Sequence, residues 1–322
     1  MKKILGLATT ALLATACGRD FRAGLPTKEM VEVPFPQSSS QGLQAQGEVS
    51  NAKTSTALQG QLADGYVLTR SATGTVNGGT LFVLGLLKAI TDNPPTSQAG
   101  NTAVWGPGHD TLSRNTYQLT VVNTQGNDYA YALEGRANDA PDTAFVRVLG
   151  GTHTAASDDK GHGSFLLDWD AAATLPDHDD NIGSVIIGYG NDNNDHGAVA
   201  VVARFEGVRD QDTGGTVNAN YAYLSVPGVG GGFEFGVRKN MNPAEGTTLE
   251  NFTIKSRWLS SGAGRSDAQV SGGDLGANQA TWNECWDTSF LSQFVAVSYD
   301  TTAGYGTESA NCAIQGAEYA NL

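Results

Sequence analysis

Basic residues are scarce in this sequence, which has 19 Lys and Arg against 33 Asp and Glu and a formal net charge of −14 at pH 7. A nucleic-acid-binding surface needs many cationic side chains to neutralise phosphates, and few are available here. The same acidity disfavours contact of a folded domain with anionic lipids. We therefore predict no nucleic-acid partner, and any membrane attachment must come from a separate anchor.

The common motifs of metal and phosphate sites are also missing. The sequence has no HExxH or CxxC spacing for zinc, and the glycine-rich residues 228–232 lack the lysine and helix that follow in a phosphate-binding loop. Residues 177–181 and 192–197 are rich in Asp and Asn, which suit calcium, but neither segment has the spacing of a calcium loop. Asp and Asn are frequent in turns, so we predict no metal and no cofactor.

A nucleophilic catalytic site has little support. Ser266, within Gly264-Arg265-Ser266-Asp267-Ala268, approaches the serine elbow of α/β-hydrolases, a fold in which the catalytic histidine follows the serine. Here every histidine precedes Ser266: His109, His153, His162, His178 and His196. We predict that residues 260–273 are a flexible hairpin end.

Paired carboxylates offer the other catalytic possibility. Asp168 and Asp170 flank Trp169, and in a strand both would project from one face at a separation that glycoside hydrolysis can use. Nothing in the sequence indicates the raised pKa that one partner needs, and Asp170 is well placed to cap a short helical turn over residues 171–175. We predict no catalytic residues, with an exported hydrolase using Asp168 or Asp170 as an alternative.

The first residues have the layout of an export signal. Lys2 and Lys3 precede an uncharged run over residues 4–16, which is shorter than the roughly 20 residues that span a bilayer. We predict that residues 1–16 are a signal peptide. The following sequence, Leu13-Ala14-Thr15-Ala16-Cys17, resembles the lipobox of bacterial lipoproteins, with its leucine one place further from the cysteine than usual. The resemblance implies cleavage before Cys17 and a diacylglyceryl group on its sulfur, and Gly18 after it implies the outer membrane.

Two cysteines, Cys285 and Cys312, are left once Cys17 is assigned to lipid. In an oxidising compartment two remaining thiols favour one disulfide. On the chain-entropy estimate a bridge that closes a loop of about 27 residues stabilises the fold by about 3–4 kcal/mol. Two separate buried thiols are the alternative, because spacing alone does not show that the Cα atoms approach each other.

The mature chain divides into a stalk and one domain. Residues 17–55 include a Pro- and Ser-rich run and no sustained hydrophobic period, which predicts a flexible lipidated stalk. Residues 56–322 are predicted to be a single mainly β domain. Within it, an apolar segment that stops at Asn93-Pro94-Pro95 predicts a helix over residues 76–91. This helix is apolar on nearly every side, so we expect it to be buried, and Gly85 suggests a close approach to another backbone.

After Trp105 the hydrophobic residues alternate with polar ones between short turns, the pattern of antiparallel strands. We predict about ten strands in a curved meander or incomplete barrel around the helix 76–91, with a two-sheet sandwich as the alternative. This outline resembles the lipoprotein-carrier fold of the LolA and LolB type in architecture alone. The inward aromatic side chains are expected to form either a packed core or a cavity for an apolar ligand: Tyr129, Tyr131, Phe165, Trp169, Phe233, Phe235, Phe252 and Trp258.

These observations predict a lipid-anchored outer-membrane lipoprotein without enzymatic activity. The membrane is its first partner, through the lipid on Cys17. Its domain is expected to bind an apolar or amphipathic ligand or another envelope protein. A structural or surface-interaction module with a filled core, and an exported hydrolase, are the two alternatives.

Overall fold

A computed structural model of the chain describes residues 20–34, 59–109, 111–191, 197–210, 213–244, 246–300 and 302–321. Fourteen strands in these residues form one antiparallel sheet whose spatial order is the order of the chain. The strands are β1 Ser97–Ala99, β2 Thr102–Gly108, β3 Asn115–Gln125, β4 Asp128–Ala137, β5 Val146–Ala155, β6 Gly161–Asp168, β7 Ser184–Gly190, β8 Val199–Arg209, β9 Thr216–Val226, β10 Gly230–Lys239, β11 Glu250–Leu259, β12 Gly264–Gly272, β13 Gln279–Trp286 and β14 Ser292–Val297. Four α-helices accompany them: α1 Lys28–Val31, α2 Asp64–Thr91, α3 Trp169–Ala172 and α4 Glu308–Asn311.

The mainly β antiparallel meander is confirmed, and it is one sheet rather than a sandwich. In the described residues β1 and β14 are its two edges, so the sheet is not closed. Fourteen strands exceed the predicted ten because several do not show an alternating apolar pattern. Strand β5 has Gly150 and Gly151 at its centre, and β12 places Arg265, Ser266 and Asp267 in buried positions where a hydrophobic pattern has no signal.

Helix α2 begins twelve residues before the predicted start, at Asp64 rather than residue 76. Its first half is rich in Thr and Gly, which are weak helix formers, so local propensity gives little sign of it. One side of the helix is buried along its whole length, at intervals of three or four residues: Tyr66, Thr69, Thr73, Asn77, Thr80, Leu84, Leu87 and Thr91. Tertiary packing therefore extends the helix.

The opposite side of α2 is exposed, which corrects the expectation of burial all round. Val67 and Leu86 are exposed there, and a Cβ at Gly85 would meet nothing within 4 Å, so Gly85 does not mark a close backbone approach. By length and composition alone, α2 is the one helix among the described residues that could cross a membrane. In this fold its buried side is packed against protein.

Helix α2 reaches both ends of the sheet. Leu62, just before it, forms a β-bridge with Leu291 beside β14, and Asn93, just after it, accepts a 2.9 Å hydrogen bond from the Trp105 indole of β2. A 28-residue helix is about 42 Å long, whereas the twelve spacings from β2 to β14 would span about 58 Å in a flat sheet. The sheet therefore curves around the helix, and its inner face is the one that meets α2.

Residues 20–34 belong to the folded core, although the sequence placed them in the flexible stalk. They form a 3₁₀ turn, Phe21–Gly24, and the short helix α1. Five of their apolar side chains are at most 6 % exposed: Phe21, Leu25, Met30, Val31 and Val33. These residues have no regular period, so the sequence pattern did not reveal their burial. The rest of the predicted stalk and the signal peptide lie outside the described residues.

This N-terminal segment lies between α2 and the sheet. The Val33 N–H donates to the Asn77 Oδ1 of α2, and the Asn77 Nδ2 donates to the Val33 carbonyl, each over 3.1 Å. The Tyr223 hydroxyl of β9 donates to the Pro34 carbonyl. Gly24 fits against the ring of Tyr129 of β4 so closely that a Cβ there would lie 2.4 Å from it. The segment thus crosses the inner face from β4 to β9.

Candidate functional site

The inner aromatic side chains form a packed core. Most of those predicted to face inward are buried, and they form one cluster with α2 and residues 20–34. Glycines on neighbouring strands make room for the rings, since a Cβ at Gly163 would lie 2.6 Å from the Tyr189 hydroxyl. Burial raises the pKa of Tyr131 and Tyr189, so both phenols stay neutral. Trp169 differs from the prediction, because it begins α3 rather than continuing a strand.

A buried carboxylate, Glu284 of β13, holds the start of α2. Its Oε2 accepts a 2.7 Å hydrogen bond from the Gly65 N–H, and its Oε1 accepts a 2.5 Å bond from the Ser292 hydroxyl. The residue before the helix, Ala63, has no side chain that can cap it. Glu284 therefore caps the helix from a distant strand. The first N–H groups of a helix have no carbonyl partner within it, and they and the positive end of the helix dipole favour a carboxylate at this position.

Burial, with a smaller contribution from the nearby charge of Asp64, raises the pKa of Glu284 to about 7 against the lowering effect of the hydrogen bonds from Ser292 and Gly65. Tyr305 donates a 2.7 Å bond to the Ser292 hydroxyl and completes the cluster on that side. An acid with a pKa near neutrality is a common feature of catalytic sites. Glu284 and Ser292 are both 0 % exposed, however, so the cluster is enclosed by protein.

Ser266 joins the same buried region through hydroxyl groups. Its Oγ lies 2.5 Å from that of Ser256, which lies 2.6 Å from the Thr69 Oγ1 of α2. The expectation of a flexible hairpin end over residues 260–273 is wrong, because residues 264–272 are strand β12 and Ser266 is 0 % exposed. Polar side chains on both faces of β12 find partners inside the fold, which composition alone does not show.

The outer face of β11–β13 is covered by the end of the chain. The Arg265 guanidinium contacts Asp267 at 2.7 Å and Glu308 of α4 at 2.6 Å. Arg257 contacts Asp267 at 3.1 Å and also pairs with Glu318.

The predicted Cys285–Cys312 disulfide is confirmed, with Cα atoms 5.4 Å apart, and it joins β13 to the residue that follows α4. This arrangement is structural.

The paired-carboxylate hypothesis does not match the geometry. Strand β6 ends at Asp168, which accepts a 2.8 Å bond from the Ala171 N–H and caps α3. The prediction that Asp170 is the cap is therefore wrong, and Asp170 instead accepts a 2.8 Å bond from the Gly183 N–H. The two side chains do not share a strand face, because the strand turns into helix between them.

The candidate calcium segments are turns where they are described. Asp177 forms a 2.7 Å ion pair with Arg114, and Asp179 bonds the Asn181 backbone and side chain within its own turn. Residues 192–196 and Cys17 lie outside the described residues. Elsewhere in the described ranges, no group of three His, Cys, Asp or Glu side chains could hold a metal. Residues 228–232 contain the turn and first residues of the β9–β10 hairpin.

An exposed aliphatic patch lies on the outer face of β6–β9. We call it the outer patch, and it consists of Leu166, Ile186, Val202, Ala222 and Leu224. Leu166 pairs directly with Ile186, and Val202 pairs with Ala222, so neighbouring strands supply neighbouring side chains. Ile186, Val202 and Leu224 are 47 %, 54 % and 48 % exposed.

Charged pairs stand beside the outer patch. Arg204 and Glu206 form a 2.7 Å pair on β8, and Glu234 of β10 forms a 2.9 Å pair with Lys255. An apolar patch with a polar border is characteristic of protein-interaction surfaces. Sequence reasoning missed it, although Val-Ile-Ile in β7 and Val-Ala-Val-Val in β8 put apolar residues on both faces, which is a usable signal.

Neither a protein-family model, nor a curated protein, nor a solved structure matches this chain. The architectural likeness to lipoprotein carriers therefore stays an expectation.

Proposed function

We propose that this protein is a lipid-anchored envelope lipoprotein that binds a partner protein through the outer patch and performs no catalysis. The observation that carries the proposal is the cluster of aliphatic side chains on adjacent strands, on a face that α2 does not cover, in which Ile186, Val202 and Leu224 are about half exposed to water. Burying such side chains contributes about 25 cal/mol per Å² of apolar surface, which favours a partner there. The Cys17 lipid supplies attachment to the outer membrane.

Binding of an apolar ligand inside the sheet has less support. That function needs space beside α2, and residues 20–34 occupy the region between α2 and strands β4–β9. A ligand would have to displace five buried apolar side chains of the chain itself. This favours the partner-protein form of the hypothesis and a filled core.

The non-enzymatic part of the proposal is supported by what the candidate catalytic groups contact. Asp168 and Asp170 accept hydrogen bonds from backbone N–H groups, and Ser266 is enclosed among other hydroxyls. Glu284 caps a helix. Each of these groups has a structural role that explains its position.

Site-specific photo-crosslinking in living cells tests the proposal. A photoreactive amino acid at Val202 should give a discrete adduct with one protein, and the same residue at Leu112, which is 93 % exposed outside the patch, should not. An Ile186→Asp substitution should abolish the adduct, because a buried charge opposes docking. After purification, the identified partner should bind Ile186→Asp at least about 10-fold more weakly, as a loss of about 1.4 kcal/mol requires. A diffuse adduct pattern, or equal affinities, would refute the proposal.

A further inference from the structure

The fold begins very close to the proposed lipid. Asp20 precedes the 3₁₀ turn and accepts a 2.9 Å bond from the Arg22 N–H, and Phe21 is only 3 % exposed. Cys17 is three residues before Asp20, a distance that even an extended chain covers in about 10 Å. The chain between the lipid and the domain is therefore too short to act as a stalk.

The same contacts place the tether at one end of the strands. We call residues 125–128 and 156–160, the turns after β3 and β5, the tethered rim. Gly24 packs on Tyr129, the second residue of β4, and the Asn191 Nδ2 at the end of β7 donates a 3.2 Å bond to the Glu29 carbonyl. The turn after β3 is joined to the end of β5, since the Ala155 N–H donates to the Asn127 carbonyl over 3.0 Å.

Chain lengths show which end of the strands Cys17 can reach. From Gly24 back to Asp20 the 3₁₀ turn covers about 8 Å, so Cys17 lies within roughly 18 Å of Gly24. Strand β4 runs from Asp128 to Ala137, and Ala137 is about 27 Å from Tyr129. The tethered rim therefore lies within reach of Cys17, whereas the opposite end, residues 138–145 and 169–183, lies beyond the roughly 18 Å that the tether spans from Gly24.

We infer that the tethered rim lies directly on the lipid headgroups, with the strands raised from the bilayer and the outer patch facing sideways. The inference rests on the proposed lipid anchor. Most exposed residues of the rim are polar, among them Asn127, Asp128 and Lys160, and polar side chains suit the headgroup layer rather than the hydrocarbon. Because Asp128 and the neighbouring acidic residues do not attract anionic lipid, the short tether alone sets this orientation.

A matched pair of photoreactive residues tests the orientation in the full lipidated protein. Asn127 and Asp139 are both exposed and stand just beyond the two ends of β4. In vesicles of phosphatidylethanolamine and phosphatidylglycerol, a photoreactive residue at position 127 should crosslink to lipid several-fold more than one at position 139. Equal crosslinking at the two positions, or more at position 139, would overturn the inference.

Two insertions distinguish a short tether before Asp20 from the longer predicted stalk as the segment that sets the orientation. A Gly-Ser insertion of about 20 residues after Gly18 adds a mean span of roughly 25 Å and should bring the two crosslinking yields close to equality. The same insertion after Ala45 lengthens the chain beyond the N-terminal segment and should leave the difference intact. If the insertion after Ala45 equalised the yields and the one after Gly18 did not, the tether would lie elsewhere and the inference would be wrong.

Two further measurements test the proposed lipid anchor independently of the orientation. Mass spectrometry of the peptide that begins at Cys17 reports the lipid, and sedimentation with vesicles reports attachment. An unmodified Cys17 and a protein left in the supernatant would refute the proposed anchor, and the orientation with it. A lipidated, sedimenting protein that crosslinks equally at positions 127 and 139 would refute the orientation alone.

Discussion

The Gly65 N–H of α2 donates a 2.7 Å hydrogen bond to the carboxylate of Glu284, which lies 219 residues later in the chain. The start of the longest helix is therefore fixed by β13, near the far edge of the sheet. Because Gly65 and Glu284 meet only in the folded protein, both residues offer sensitive tests of the packing between helix and sheet.

Replacing Glu284 by Gln should change how stability depends on pH. The folded-state pKa of about 7 is above the ordinary value of 4.5 for a glutamate, so the folded protein holds the proton more tightly. The stability that this provides is complete below about pH 4.5 and is lost as the pH rises through 7. The wild-type free energy of unfolding should fall between pH 5 and pH 8 by up to about 3 kcal/mol from this group. Urea unfolding across that range should show a smaller fall in Glu284→Gln.

Glu250 provides the control for this experiment. Hydrogen bonds from the Met241 and Asp274 N–H groups lower its pKa, so its contribution is present above its unfolded pKa and lost only in acid. Glu250→Gln should leave the slope between pH 5 and pH 8 unchanged. An equal loss of slope in both variants would contradict the assignment to Glu284.

Gly65 should not tolerate a side chain, whereas Gly85 should. A Cβ at Gly65 would lie 2.5 Å from the Cβ and Oγ of Ser266, so helix and strand would have to separate. Gly65→Ala should lower the free energy of unfolding by about 1–3 kcal/mol. Gly85→Ala has open space and should raise it by about 1 kcal/mol, because alanine is the better helix former. Chemical denaturation of the two variants measures both effects, and a stabilised Gly65→Ala would contradict the close contact.

Gly163 offers the same kind of test within the sheet. A Cβ there would lie 2.2 Å from the Thr152 carbonyl and 2.6 Å from the Tyr189 hydroxyl. Gly163→Ala should cost about 1–3 kcal/mol in the free energy of unfolding. Gly232, a strand glycine whose nearest neighbour would be 3.7 Å away, is the matched control, and Gly232→Ala should stay within about 0.5 kcal/mol of wild type. Similar losses in thermal unfolding of both variants would argue against the close packing at Gly163.

The parts of the fold that the sequence revealed are those with regular patterns. Alternation in β3, β4 and β10 and the tight turns between strands predicted an antiparallel meander, and two leftover cysteines predicted the disulfide. Strand β12 was missed because its buried Arg265 and Asp267 neutralise each other inside the fold. The burial of Met30 and Val33 was missed because it depends on contacts with distant strands rather than on local periodicity.

The candidate site likewise has one part that the sequence could reveal and one part that it could not. Val202 and Ile186 could be recognised as exposed apolar residues because apolar residues occur at successive positions, so one of two must face water. The cap between Gly65 and Glu284 leaves no such sign. Its two residues are far apart in the chain, and an isolated glutamate in a strand is usually solvent-exposed.

Reduction of the Cys285–Cys312 disulfide should loosen the C-terminal segment and leave the sheet in place. The bridge closes a loop of about 27 residues, so its loss should lower the free energy of unfolding by about 2–4 kcal/mol. Glu308 then holds α4 to β12 mainly through its 2.6 Å pair with Arg265.

Limited proteolysis of a Cys285→Ser, Cys312→Ser double variant should give early cleavage within residues 307–321. Adding Glu308→Gln should speed that cleavage further, whereas Glu206→Gln, which breaks an exposed pair on β8, should not. Early cleavage spread over β11–β14 would show instead that the disulfide supports the sheet itself.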